Sequence, residues 1–188
     1  MFTTGIPATK LTLAEYIEWE NAQPDKNEFV RGEVFAMDGE RRIHGRVVSN
    51  LACLLASHLT GSACQVFAQT MKLQVAGNSI LYPDIFVTCD PEDLRTDQIF
   101  HAPLVVVEVL SPSTHAYDRS LKFALYRGVA SLREYVLIDP ESRQVEAFRV
   151  GADGLWVLHE MTGQPSLSVP AIDATIPMAE VFAGVDAA

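Results

Sequence analysis

The chain has 188 residues, 48% of them hydrophobic and 20% charged, which is enough for one sizeable core and too few for two comfortable domains, so a single domain over 1–188 is expected. Its apolar runs reach about eight residues, far short of the roughly 20 that cross a bilayer, and Met1–Lys10 lacks the basic-then-apolar pattern of a signal peptide; no membrane partner and a cytoplasmic location are the default expectations. A formal charge of −10 repels a phosphate backbone on average and is unlike the basic balance of a nucleic-acid binder, unless carboxylates gather round a cation and the bases Arg41, Arg42, Arg46, Arg119, Lys122 and Arg127 cluster elsewhere.

Thr12-Leu13-Ala14-Glu15 has the form of a capping box, and Leu13, Tyr16, Ile17 and Glu20 follow at helical spacing, predicting a helix to about Ala22. Glu28–Val30 and Glu33–Met37 flank Arg31-Gly32 as a tight hairpin, ended by Asp38-Gly39. Val47, Leu51, Leu54, Leu55 and Leu59 recur every three to four positions, predicting a long helix from about Ile43, with Gly61 as its stop. Cys64–Val75 reads as one strand and Ile80–Thr88 as the next, the latter with a proline that suggests an edge or a bulge. Pro91–His101 reads as a loop, and Leu104–Leu110 as a central strand covered on both faces. Asp118–Val129 carries an apolar helical stripe, and strands follow at Tyr135–Ile138, Gln144–Val150 and Leu155–Met161. The 162–188 tail shows only a helical hint near Met178–Phe182. This order suits an α/β fold with a central mixed β-sheet flanked by helices.

Cys53, Cys64 and Cys89 are odd in number, lie 11 and 25 positions apart and form no Cys-x-x-Cys pair, which argues against a disulfide framework or a zinc ribbon and for small buried packing residues.

Two carboxylates interrupt the most apolar segments: Asp84 in Ile80-Leu81-Tyr82-Pro83-Asp84-Ile85-Phe86-Val87, and Glu108 in Leu104–Leu110. Burying an ionised carboxylate costs several kcal/mol unless a cation, hydrogen bonds or a shifted pKa compensates. A second carboxylate nearby raises that cost, and a divalent cation is the usual remedy. Asp84 and Glu108 are therefore the candidate ligands of a hard metal ion.

Tyr82-Pro83-Asp84, then Glu108 in Val106-Val107-Glu108-Val109-Leu110-Ser111-Pro112-Ser113-Thr114, then Tyr117-Asp118-Arg119-x-x-Lys122 resemble the Uma-two family of the PD-(D/E)XK restriction-endonuclease-like superfamily. Glu28–Val34, His44 ahead of the long helix, and Ser131–Tyr135 look like further family landmarks, so the resemblance covers roughly 12–150. It implies a restriction-endonuclease-like fold, hydrolysis of DNA phosphodiester bonds, Mg²⁺ (or Mn²⁺) held by Asp84 and Glu108, Lys122 as the catalytic lysine, Glu28 as a third acidic group, His44 as a polar group at the site, and a homodimer. The pattern departs from the superfamily in one respect. The lysine usually stands two residues after the glutamate, where this chain has Leu110.

Each assignment has a plainer alternative. Asp118 and Lys122, at i and i+4, could form an ordinary helix-surface ion pair. Glu28 could be an exposed strand residue, His44 a hydrogen-bonded residue of the first helical turn, Asp84 the cap of a bulge beside Pro83, and Glu108 the partner of Arg119 or Arg133. Gln69 could line the same cleft. Ser111, Ser113 and Thr114 read as helix caps, because no Gly-x-Ser-x-Gly elbow is present. His58, His101, His115 and His159 lack metal-like spacing. Three functions compete: a Mg²⁺-dependent endonuclease, a catalytically inactive nucleic-acid or protein binding module on the same fold, and a metal-dependent hydrolase of a small phosphorylated molecule. A basic rim of Arg41, Arg42, Arg46 and Arg119 would favour the first.

Overall fold

The computed structural model describes Pro7, residues 9–37, Gly39, 41–112 and 114–186. Asp38 and Ser113 lie outside the described residues. Helix α1 (Leu13–Glu20) opens on the expected capping box: the Thr12 hydroxyl accepts the Glu15 amide, and the Glu15 carboxylate accepts the Thr12 amide. Strands β1 (Asn27–Val30) and β2 (Glu33–Ala36) form the hairpin, whose turn needs positive φ at Arg31 (51°) and Gly32 (96°). Helix α2 (Arg42–His58) follows and buries the stripe Val47, Val48, Leu51 and Leu55.

The next two segments depart from the expected single strands. Cys64–Val75 divides into β3 (Gln65–Ala68) and β4 (Lys72–Val75), and Ile80–Thr88 into β5 (Ser79–Leu81) and β6 (Ile85–Thr88). In both cases the two halves belong to different sheets. The chain changes sheet at Gln69, which holds φ of 56°, and again at Tyr82-Pro83-Asp84, where a proline without an amide proton is tolerated between ladders. The expected loop over Pro91–His101 contains a turn of 3₁₀ helix (Asp93–Arg95) and a short strand, β7 (Ile99–Phe100).

Strand β8 (Pro103–Val109) is interior, between β6 and β9 (Glu134–Ile138), and the sheet continues through β10 (Val145–Val150) to β11 (Trp156–Glu160). The six-stranded order is β11-β10-β9-β8-β6-β3, with β8 and β9 parallel and the other pairs antiparallel. A five-stranded sheet, β2-β1-β5-β4-β7, packs beside it. The tail, expected to be mostly irregular, forms a hairpin of β12 (Ser166–Val169) and β13 (Ala174–Pro177) and a short helix (Met178–Val181).

Period-two alternation divides the larger sheet into two buried faces. Ile85, Val87, Val105, Val107, Val109, Val136 and Ile138 pack under α2 and the tail hairpin. Phe86, Val106, Leu110, Tyr135 and Leu137 face the opposite way, onto Leu125, Tyr126 and residues of the five-stranded sheet. Both cores are tight enough that each fully buried Val or Leu stabilises by about 1.5–3 kcal/mol.

Two expectations about the cysteines are corrected. Cys64 and Cys89 form a disulfide that extends the antiparallel Gln65↔Thr88 register by one residue at the sheet edge, and Cys53 is exposed on α2 rather than buried. Register, not spacing along the chain, brings the two sulfurs together. Among the described residues no helix is long and apolar enough to cross a membrane.

Candidate active site

Asp84 and Glu108 converge because of strand register. Strands β6 and β8 pair antiparallel with Ile85 opposite Val107, so one further step puts Asp84 opposite Glu108. By parity both then face the side of the sheet that carries Phe86 and Val106. Asp84 is 7% exposed and Glu108 2%. The Val109 amide donates to Asp84 Oδ2 at 2.7 Å, His44 Nε2 lies 3.2 Å from the same oxygen, and the Asp84 amide donates to Glu108 Oε2 at 3.4 Å. His44 is buried on the first turn of α2, held against Asp84 rather than turned to solvent.

The cation arrives from an irregular helix. His115–Tyr117 is α-helical, Asp118–Lys122 widens into a π-helical turn, and Phe123–Tyr126 resumes α geometry. Lys122 Nζ sits 3.1 Å from Glu28 Oε1, 3.3 Å from Glu108 Oε1 and 3.4 Å from Asp118 Oδ1. Asp118 and Lys122 are 2% and 5% exposed, so their pairing is buried and not the helix-surface pair that their spacing allowed. Tyr126, one turn further, donates its hydroxyl to Glu108 Oε1 at 2.8 Å. Glu28 is buried on β1, with Tyr82's amide 3.4 Å from its Oε1. Arg119 pairs instead with Glu146, and Arg133 donates to the carbonyls of Ala130 and Leu132, so neither is the partner of Glu108.

Three carboxylates thus surround one ammonium, and a fourth, Asp84, stands beside Glu108. Burial, with Asp84, Asp118 and Glu28 adding to it, pushes the Glu108 carboxyl well above its ordinary range against the opposing pull of Lys122. Asp118 is raised too, chiefly by burial. Burial works to lower Lys122, but Glu108, Glu28 and Asp118 outweigh it and hold the ammonium well above its usual value. Burial and then Glu28 raise the Tyr117 phenol.

Among the described residues no three His, Cys, Asp or Glu side chains form a ready-made metal cage. The two-carboxylate arrangement suits Mg²⁺, which keeps several waters and binds through one or two carboxylates together with substrate phosphate. The all-oxygen donor set and the excess of negative charge fit such an ion, and Asp84 and Glu108 could hold it.

These groups line a cleft of about 620 Å³ walled by Phe35, Met37, Arg41, Tyr82, Pro112, Tyr117 and Leu121. A second hollow of about 450 Å³ adjoins it across Arg41, His44, Ser111 and Pro112. The basic rim that would favour an endonuclease is not formed: Arg42 donates to the carbonyls of Gly184 and Val185, Arg46 packs against Gly184 and Arg119 is held by Glu146. Of the four arginines, Arg41 alone lines the cleft, and it is paired with Glu141. Gln69 is absent from the lining; its backbone amide donates to the Asp84 carbonyl. Ser111 and Thr114 hydrogen-bond each other 3.0 Å apart at the entry to the helix and Ser111 Oγ accepts the Thr114 amide, but Thr114, at the N-cap position, makes no side-chain capping bond, which corrects the expectation for that residue.

Sequence reasoning gave no role to Tyr126 or Phe35, and none to Tyr117 beyond its place in the motif. Positions 118, 122 and 126, each four apart, were the available signal for Tyr126. Phe35 stands directly opposite Glu28 in the hairpin register.

A solved structure described as a "putative nuclease belonging to DUF820" from Anabaena variabilis matches with a TM-score of 0.73 over 93% of this chain and 99% of that one, at 18% identity. The fold is therefore an α/β fold of the restriction-endonuclease-like type. The model of the Uma2 family, described as "Putative restriction endonuclease", matches residues 13–179, and the chain belongs to that family. Two proteins of Synechocystis sp. are similar to it: uncharacterized protein slr1290 is 33% identical over 180 residues (95% of each chain), and uncharacterized protein sll1609 is 35% identical over 158 residues (82% of this chain, 89% of that one).

Proposed function

We propose that the protein is a Mg²⁺-dependent endonuclease that hydrolyses phosphodiester bonds of DNA in the cleft above Asp84 and Glu108. The observation that carries this reading is the juxtaposition of those two carboxylates on neighbouring antiparallel strands, with the Lys122 ammonium 3.3 Å from Glu108. A bound Mg²⁺ would lower the pKa of a water and neutralise charge on the scissile phosphate. The chain's own groups prepare the rest. Val109 N–H and His44 fix the Asp84 carboxylate, and Tyr126 fixes one oxygen of Glu108. Lys122, released from one of its three carboxylates, supplies a preorganised positive charge for the attacking hydroxide or the developing phosphorane. Glu28 holds that ammonium toward the cleft and is placed to accept a hydrogen bond from water.

The lysine reaches the site from a helix because its usual position is occupied by Leu110, which is 3% exposed and part of the core. A second reading, hydrolysis of a small phosphorylated molecule, is favoured by the arginines' engagement elsewhere. The test is cleavage of supercoiled, linear and single-stranded DNA with Mg²⁺ or Mn²⁺ by wild type, Asp84→Asn and Glu108→Gln, each checked for folding. Metal-dependent cutting slowed at least about 10²-fold in both variants is the expected result. Equal traces in all three would mean contamination and reject the reading. Homodimerisation belongs to the same proposal and is read by light scattering on the purified protein.

A further inference from the structure

We infer that the cleft takes an unpaired nucleotide and not an intact duplex, with the base next to the scissile phosphate stacking on Phe35 and Tyr117; this rests on the phosphodiesterase reading above. Phe35 is 40% exposed, among the few large apolar side chains so open, and it lies on the edge strand β2 where it lines the cleft. Its partner across the hairpin is Glu28, which is 3.1 Å from Lys122. Directly opposed residues of an antiparallel pair have Cβ atoms about 5 Å apart. The Tyr117 ring centroid is 6.5 Å from that of Phe35 and 5.5 Å from Lys122 Nζ. An aromatic pair thus stands beside the charged cluster, within reach of a base attached to a phosphate at Asp84 and Glu108.

Three further observations select an unpaired substrate. The carboxylates are almost covered, at 7% and 2% exposure, so the phosphate must enter the cleft, which a flexible single strand can do and a stacked duplex cannot without opening. The volume of about 620 Å³ is of the size that holds small ligands, enough for a nucleotide or two. Duplex affinity comes mainly from Lys and Arg contacts to many phosphates, and the arginines that would provide them are turned to Gly184, Val185 and Glu146, while Arg41 is paired with Glu141. Single-strand binders draw affinity from bases stacked on aromatic rings, an interaction available to any base. The site therefore discriminates by strandedness more than by sequence.

The test is binding, measured in Ca²⁺ by fluorescence anisotropy, of a short single strand, its blunt duplex and the same single strand with one abasic position, using wild type, Phe35→Ala, Phe35→Leu and Phe35→Trp. A 2-aminopurine at the position made abasic reports stacking directly. The single strand is expected to bind at least about tenfold more tightly than the duplex with quenching of 2-aminopurine, and Phe35→Ala to weaken it on the order of tenfold, Phe35→Leu part of the way, with Phe35→Trp restoring it. On the abasic strand wild type and Phe35→Ala should bind alike, as a thermodynamic cycle requires if the base is the ring's partner. Equal affinity for duplex and single strand, an unquenched probe, or equal weakening of intact and abasic strands by Phe35→Ala would overturn the inference. Failure of the phosphodiesterase reading shows separately, as absence of metal-dependent cutting of every substrate whatever the binding result.

Discussion

Each face of the six-stranded sheet buries a glutamate from one of its two parallel central strands, and the two are treated in opposite ways. Glu134, at the start of β9, lies opposite Arg149 in register, takes its Nε at 3.0 Å and accepts the Ala171 amide at 2.7 Å under the tail hairpin. Arg149 in turn donates to the Ser168 carbonyl. One carboxylate meets one guanidinium, and both tie the tail to the sheet. Glu108, at the far end of β8, shares a single lysine with Glu28 and Asp118, sits opposite Asp84 and opens onto a cleft. Burial of charge is common to both sites, so it does not distinguish them. The ratio of carboxylates to cations, and access from a cavity, does.

The sharpest way to break this contrast is to remove each cation. Arg149→Met leaves Glu134 buried without its counter-ion and should destabilise the fold by about 3–5 kcal/mol in urea unfolding, the usual consequence of orphaning half of a buried pair. Lys122→Met should cost less, because Glu108 is already poised to take a proton. Equal losses would mean that the two clusters are the same kind of object.

Removing the carboxyl charge should reverse the ranking. Glu108→Gln is expected to lower the cleavage rate about 10²–10³-fold while leaving stability unchanged or higher, and Glu134→Gln to lower stability while sparing the rate per folded molecule. Steady-state kinetics and thermal melts on both variants would decide it.

A smaller effect is expected on pH. The folded carboxyl of Glu108 is held above its unfolded value of 4.5, so in metal-free protein the folded state binds the extra proton and stability falls as pH rises above that value, by at most about 1.4 kcal/mol per unit. Asp118, also raised, contributes in the same sense. Lys122 is charged in both states below 10.5 and adds no slope there. Glu108→Gln should flatten the dependence of denaturation free energy on pH above 4.5. The smallest effect belongs to Tyr126→Phe, which deletes one hydrogen bond to Glu108 and should slow cleavage about fivefold, the worth of roughly 1 kcal/mol, with the pH profile of the rate as the readout.

How much of this was legible in the sequence depended on whether the signal was local. The capping box of α1, the hairpin at Arg31-Gly32 and the stripe of α2 are written within a few residues of one another, and they form as expected. Asp84 and Glu108 could be suspected because charge in an apolar strand is costly wherever the strand goes. The two changes of sheet could not be seen: hydrophobic alternation runs on through Gln69 and past Pro83, and only pairing with distant strands decides where each half belongs. The Cys64–Cys89 bridge was hidden for the same reason, since it follows from the register of β3 on β6. The fate of the candidate arginines has a long-range cause as well, as Arg42 and Arg119 are occupied by the tail and by β10, far along the chain.

The widened turn between Asp118 and Lys122 also sets a rule about chain length. A π-helical turn holds one residue more than an α-helical turn. Five residues here cover about the arc that four cover in a regular helix, so the extra residue is absorbed locally, and deleting one of residues 119–121 would restore regular geometry with everything beyond left nearly in place. Lys122 would still face Glu28 and Glu108, and Tyr126 would still reach Glu108. The number of residues in this segment is thus constrained less tightly than the identity of Lys122 and Tyr126, and a relative one residue shorter here could keep the same lysine in the same cleft.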